Sequence, residues 1–134
     1  MLPVIVVVVS GGRCVLLVDE DPMVRLAVDR QLDALGWDAV VVNSGEEAIR
    51  VIEMGLAVDV LLTDLRLPDL DGREVAWTIC RLRPFTRVTF MGSVAPAEPL
   101  EPRDAPFLLK PFSTTALANA LSGAPQMRRQ PRYS

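Results

Sequence analysis

Residues 13–19, RCVLLVD, carry a continuous apolar run that closes on an acid, and VDVLLTD at 58–64 is a second largely apolar stretch that ends in an acid. A run without polar alternation suits a strand buried on both faces, as in parallel sheets sandwiched between helices. The residues between such runs supply the helices. Asp21-Pro22 reads as an N-cap with proline at the first helical position. Val24, Ala27, Val28, Gln31, Leu32 and Leu35 follow at mostly helical spacing, and Gly36 can close the helix. DAVVVN (38–43) predicts a second strand, and Ser44-Gly-Glu-Glu47 is a capping box opening a helix to about Met54. Asp71-Gly-Arg-Glu74 opens a third helix whose apolar face is Val75, Ala76, Ile79 and Leu82. RVTFM (87–91) and PFLL (106–109) predict the last two strands, and Ser113 caps a final helix that Gly123 ends.

Connections of this length require parallel strands joined by right-handed crossovers. The expected fold is therefore α/β, a five-stranded doubly wound parallel sheet of flavodoxin-like type with helices on both faces. One helix is missing from the pattern. Between the fourth and fifth strands stands SVAPAEPLEPRDAP (93–106), with Pro96, Pro99 and Pro102 at a spacing of three. An interior proline costs a helix about 3 kcal/mol, so the fourth helix is expected to be degenerate or absent, with at most a short turn surviving.

A length of 134 residues suits one domain with one core arrangement, and 50% hydrophobic with 23% charged residues is a globular composition. The net charge of −3 argues against nucleic-acid binding by the domain as a whole. Cys14 and Cys80 lie far apart and there is no histidine, which disfavours a zinc site and excludes histidine-based catalysis. Reduced, buried cysteines of a cytoplasmic protein are the expectation. The first twelve residues, MLPVIVVVVSGG, are too short an apolar run to span a bilayer and lack a basic lead. They are expected to be an apolar leader or an added strand, with no membrane role. Residues 123–134, with three arginines, are expected to be a basic, flexible tail after a domain at 13–122.

In doubly wound folds, function gathers outside the carboxyl ends of the strands. There the sequence places Asp19-Glu20-Asp21 after strand one, Asp64 at the end of strand three and Lys110-Pro111 after strand five. Helix capping explains Asp21. It does not explain acids and a lysine arriving together from three strand ends, because neighbouring carboxylates repel. A Mg²⁺ ion, which takes one or two carboxylates and retains waters, would relieve that repulsion.

VLLVDED, LLTDLRLPDLDG and FLLKPF, in this order, resemble the signature segments of the response-regulator receiver domain, the phosphoacceptor module of two-component signalling. The resemblance covers roughly residues 13–122. It implies that Asp64 accepts a phosphoryl group from a histidine kinase or histidine phosphotransfer protein. It also implies that Asp19, Glu20, Asp64 and the backbone carbonyl of Arg66 hold Mg²⁺, and that Lys110, beside a cis Lys-Pro bond, contacts the phosphoryl oxygens. Such a protein is expected to be a single-domain response regulator, a phosphoacceptor in signalling or a phosphorelay and not an enzyme acting on a separate substrate. A downstream protein partner or a homodimer would read its state.

The chain departs from the family at the end of strand four, where Ser or Thr is usual. Gly92 falls at that point and Ser93 one residue later, so the switch hydroxyl is either absent or supplied by Ser93. Phe107 occupies the place of the switch aromatic, and an ordinary core phenylalanine would look the same. The missing helix belongs to the surface the family commonly uses for output. These departures keep open a pseudo-receiver that binds a partner without phosphorylation. A haloacid-dehalogenase-like phosphatase would use Asp19-Glu-Asp21 as its DxD pattern, but would leave Asp64 unexplained.

Overall fold

The computed structural model describes residues 13–127. Five strands and four helices follow in the order β1 (Cys14–Val18), α1 (Pro22–Ala34), β2 (Asp38–Val42), α2 (Gly45–Glu53), β3 (Val60–Asp64), α3 (Gly72–Leu82), β4 (Arg87–Gly92), β5 (Phe107–Leu109) and α4 (Thr114–Gly123). The strands form one sheet in the order β2-β1-β3-β4-β5, and every pairing is parallel. This is the expected doubly wound α/β fold. The apolar leader at 1–12 and the arginines at 128, 129 and 132 lie outside the described residues.

Alternating side chains of each strand enter two cores, as the pleat demands. Leu16, Val18 and Leu61 pack with Ile52, Val75 and Ile79 on the side of α2 and α3. Val15, Leu17 and Leu62 pack with Val28, Leu32, Leu117 and Leu121 on the side of α1 and α4. All five residues of β1, and all five of β3, are buried. That double burial explains the unbroken apolar runs.

The helix starts follow their capping residues. Asp21 accepts from the Met23 amide at 2.9 Å, Ser44 from Glu47 at 3.2 Å, Asp71 from Arg73 at 2.8 Å and Ser113 from Ala116 at 3.0 Å. Glu47 reaches back to accept from the amide of Asn43, the residue before the cap, at 3.2 Å. Gly36 and Gly55 close α1 and α2 with φ of 83° and 111°, a conformation that favours glycine.

Between β4 and β5 the chain contains no helix. The segment is nevertheless anchored: Leu100 is buried in the core beneath α2 and α3, Pro102 is buried, and Ala105 closes a turn onto the Pro102 carbonyl at 2.9 Å. One leucine and one proline thus replace the apolar face of a helix. Residues 124–127, placed by the sequence reading in the tail, instead pack onto β4. Pro125 accepts from the Val88 amide at 2.9 Å, Gln126 bridges Arg87 and Met127 packs against the core. Among the described residues no helix is long and apolar enough to cross a membrane.

Candidate functional site

The strand order reverses between β1 and β3, and the carboxyl ends of these strands open into a cavity of about 580 Å³. Asp19, Glu20, Asp64, Arg66, Ser93 and Lys110 all line it. Phe107, the remaining predicted site residue, is absent from its lining.

Asp19 is fully buried where β1 ends, and Asp64 is the buried last residue of β3. Lys110 follows β5 and bridges them, its Nζ donating to Asp19 Oδ2 at 2.9 Å and to Asp64 Oδ2 at 2.5 Å. The other carboxylate oxygens accept backbone amides, Asp19 Oδ1 from Asp21 and Asp64 Oδ1 from Arg66, each at 2.8 Å. Lys110 is set in place by its own amide, which donates to the Gly92 carbonyl at 2.8 Å, and the Lys110-Pro111 bond is cis, as expected. Three side chains from strands far apart in sequence therefore converge on one point.

Burial pushes the Lys110 ammonium down, but hydrogen bonds and charge from Asp19 and Asp64 outweigh it, and its pKa is raised overall. Burial also raises the pKa of Asp19, against the opposing pull of Lys110 and the Asp21 amide. The two directions conflict, since one favours the ion pair and the other a neutral acid. The direct contact at 2.9 Å favours the charged pair, so the raised lysine governs. One ammonium still faces two buried carboxylates, with Glu20 and Asp21 exposed nearby.

That excess of hard oxygen donors is the chemistry a Mg²⁺ ion requires. Among the described residues, however, no three acids are already drawn together as a ligand cluster. Lys110 takes up one oxygen of each buried acid. The donor set fits a cation that keeps several waters and takes few protein ligands, which Asp19, Asp64 and Glu20 would hold.

The sequence reading missed three contributors. Arg25 donates to the Asp19 carbonyl at 2.8 Å and to the Glu20 carbonyl at 2.9 Å, tying the acidic turn to α1. Asp71 and Arg73, at the start of α3, also line the cavity. Gly72 explains their approach, because a Cβ there would overlap the Asp64 carbonyl oxygen. Their only signal in sequence is the capping pattern at 71–74.

On the opposite side, both Gly92 and Ser93 line the cavity. A Cβ at Gly92 would lie 3.2–3.3 Å from the Phe107 ring. The half-buried ring thus occupies the space beside the residue where a switch side chain would begin. Asp21 acts as the N-cap of α1, and that role accounts for it, as expected.

Fold and site together define a class: a doubly wound module with a lysine-held carboxylate at the carboxyl edge of its sheet. Residues 15–122 match the response regulator receiver domain, and the chain belongs to that family. The sensor kinase CckA of Brucella abortus is 33% identical over 119 residues, covering 84% of this chain and 12% of the kinase. The transcriptional regulatory protein TrcR of Mycobacterium tuberculosis is 32% identical over 113 residues, covering 81% of this chain and 44% of the regulator. The chain therefore spans less than half the length of these curated relatives. A response regulator receiver protein from Sinorhizobium medicae superposes with a TM-score of 0.74 at 27% identity, covering 84% of this chain and 93% of that one. TrrA of Thermotoga maritima, in complex with Mg²⁺ and BeF, shares the fold with a TM-score of 0.73 at 20% identity, covering 82% and 96% of the two chains.

Proposed function

We propose that Asp64 accepts a phosphoryl group from a phosphohistidine of a histidine kinase or phosphotransfer protein, in a Mg²⁺-dependent step of cytoplasmic signalling or phosphorelay. The observation that carries this reading is the convergence of Asp19, Asp64 and Lys110 from three strand ends. A carboxylate oxygen of Asp64 attacks phosphorus, a P–O bond forms, the donor P–N bond breaks, and the imidazole takes the electron pair. The resulting acyl phosphate adds nearly two negative charges to a site already rich in carboxylates.

Phosphoryl transfer asks mainly for alignment and charge stabilisation. The backbone bond from Arg66 orients Asp64, and Arg25 holds the acidic turn in register. Lys110 is placed to exchange its bond with Asp64 for one to a phosphoryl oxygen while keeping Asp19. Bound at Asp19, Asp64, Glu20 and the Arg66 carbonyl, Mg²⁺ would supply further charge neutralisation. Hydrolysis by water returns the carboxylate, so the protein is a phosphoacceptor that turns over its own modification.

Readout is proposed to pass through a surface other than a helix between β4 and β5, toward a downstream protein or a second copy. Ser93 is the remaining hydroxyl at the end of β4, and the Phe107 ring beside Gly92 is the element that would move with it. The close fit of Gly92 and Phe107 also favours a second reading, a receiver that engages its partner without phosphorylation. Incubation with acetyl phosphate and Mg²⁺ separates the two. The first reading requires labelling that Asp64→Asn abolishes; an unlabelled wild type would leave the second.

A further inference from the structure

Arg73 enters the phosphoacceptor cavity from the first turn of α3. The preceding Gly72 touches the Asp64 backbone, and its amide donates to the Leu65 carbonyl at 2.8 Å. The start of α3 is thus pinned against the end of β3, and Arg73 is held in the lining of the cavity that Asp64 also lines. Its guanidinium is underused there. Nε is buried and has no hydrogen-bond partner, a rare condition for a buried donor in a native structure. Nη1 reaches Asp71 Oδ2 only at 3.4 Å, between side chains that are 36% and 45% exposed, so the pairing is weak. The other Asp71 oxygen is committed to the Arg73 amide as the helix cap.

We infer that Arg73 is a second cationic ligand for the phosphoryl group, complementing Lys110. This rests on the reading of Asp64 as phosphoacceptor. A guanidinium offers a planar fork of donors suited to phosphoryl oxygens. An incoming tetrahedral anion would draw Nη1 away from Asp71, and the turn of the guanidinium would bring the buried Nε a partner. Lys110 is already divided between two carboxylates, so a further cation answers the charge that phosphorylation adds.

The test is a titration with beryllofluoride, a phosphoryl mimic, in the presence of Mg²⁺, read as the rise in melting temperature. Wild type should show a saturable rise. Arg73→Ala should bind about tenfold more weakly, as expected for losing a charge-assisted hydrogen bond. Arg73→Lys should recover part of that loss. Ligand-free melting temperatures of both variants should stay close to wild type, since the weak Asp71 pair is all they give up. Unchanged beryllofluoride affinity in Arg73→Ala overturns the inference and leaves the phosphoacceptor reading standing. A loss not recovered at all by Arg73→Lys, with a lowered ligand-free melting temperature, makes Arg73 structural and also overturns it. A wild type that neither responds to beryllofluoride nor labels with acetyl phosphate removes both readings together.

Discussion

Asp19 and Asp64 reach the cavity from strands buried on both faces, and Lys110 from the residue just after β5. Ser93 to Ala97 reach the same cavity from a stretch that has no regular backbone and rests on Leu100 and Pro102. One wall is thus positioned by the sheet itself, the other by a few packed anchors. Groups that must meet within hydrogen-bonding distance come from the first wall. The convergence of Asp19, Asp64 and Lys110 therefore does not depend on a helix between β4 and β5, because such a helix lies outside the elements that place them.

Substitutions on the two walls should separate in magnitude. The largest stability effect is expected for Lys110→Ala, which leaves Asp19 and Asp64 buried without their shared cation. Breaking such a pair costs about 3–5 kcal/mol, measurable by urea unfolding near neutral pH without Mg²⁺. The sign with pH follows from the raised lysine. Its contribution in wild type is fully present below the unfolded lysine value of about 10.4 and is lost as pH rises through the higher folded value. A loss of wild-type stability confined to pH 8–9 would contradict that assignment.

Next come the core anchors of each wall. Leu61, fully buried in β3, should cost about 3–4 kcal/mol when replaced by alanine, as for other tightly packed core leucines. Leu100 at 8% exposure sits under a segment that can settle around it, so Leu100→Ala should cost only about 2 kcal/mol. Equal losses in chemical denaturation would erase the distinction between sheet-built and loop-built walls.

Two glycines separate in the same way, and the second carries the smallest effect. An added methyl at Gly72 meets the Asp64 backbone, which cannot yield without moving the acceptor. Gly72→Ala should therefore cost about 2–3 kcal/mol and slow acetyl phosphate labelling. At Gly92 the methyl meets a ring edge at 3.2–3.3 Å. Phe107 can give by a fraction of an ångström, so Gly92→Ala should cost about 1 kcal/mol or less, with labelling preserved. The reverse ranking would show that the β4 end, rather than the start of α3, is the constrained side.

Much of the sheet-built wall was legible because local signals and tertiary demands agree there. Apolar runs marked strands buried on both faces, acids marked their ends, and the caps at Asp21, Ser44, Asp71 and Ser113 lie where the helices begin. The absence of a helix at 93–106 was equally plain from Pro96, Pro99 and Pro102. Contacts across the chain were not legible. Neither the seat of Leu100 in the core nor the docking of 124–127 on β4 has a periodic signal. Arg73 reads as an ordinary charged residue in the first turn of a helix. Only the approach of Gly72 to Asp64 reveals what it faces.

The role of Asp64 is tested by locating the phosphoryl group after incubation with acetyl phosphate and Mg²⁺, using peptide mass spectrometry and sensitivity to hydroxylamine. A single hydroxylamine-labile modification is expected on Asp64, missing from Asp64→Asn and from wild type treated with chelator. Stable labelling at another residue, or labelling that persists in Asp64→Asn, would contradict it.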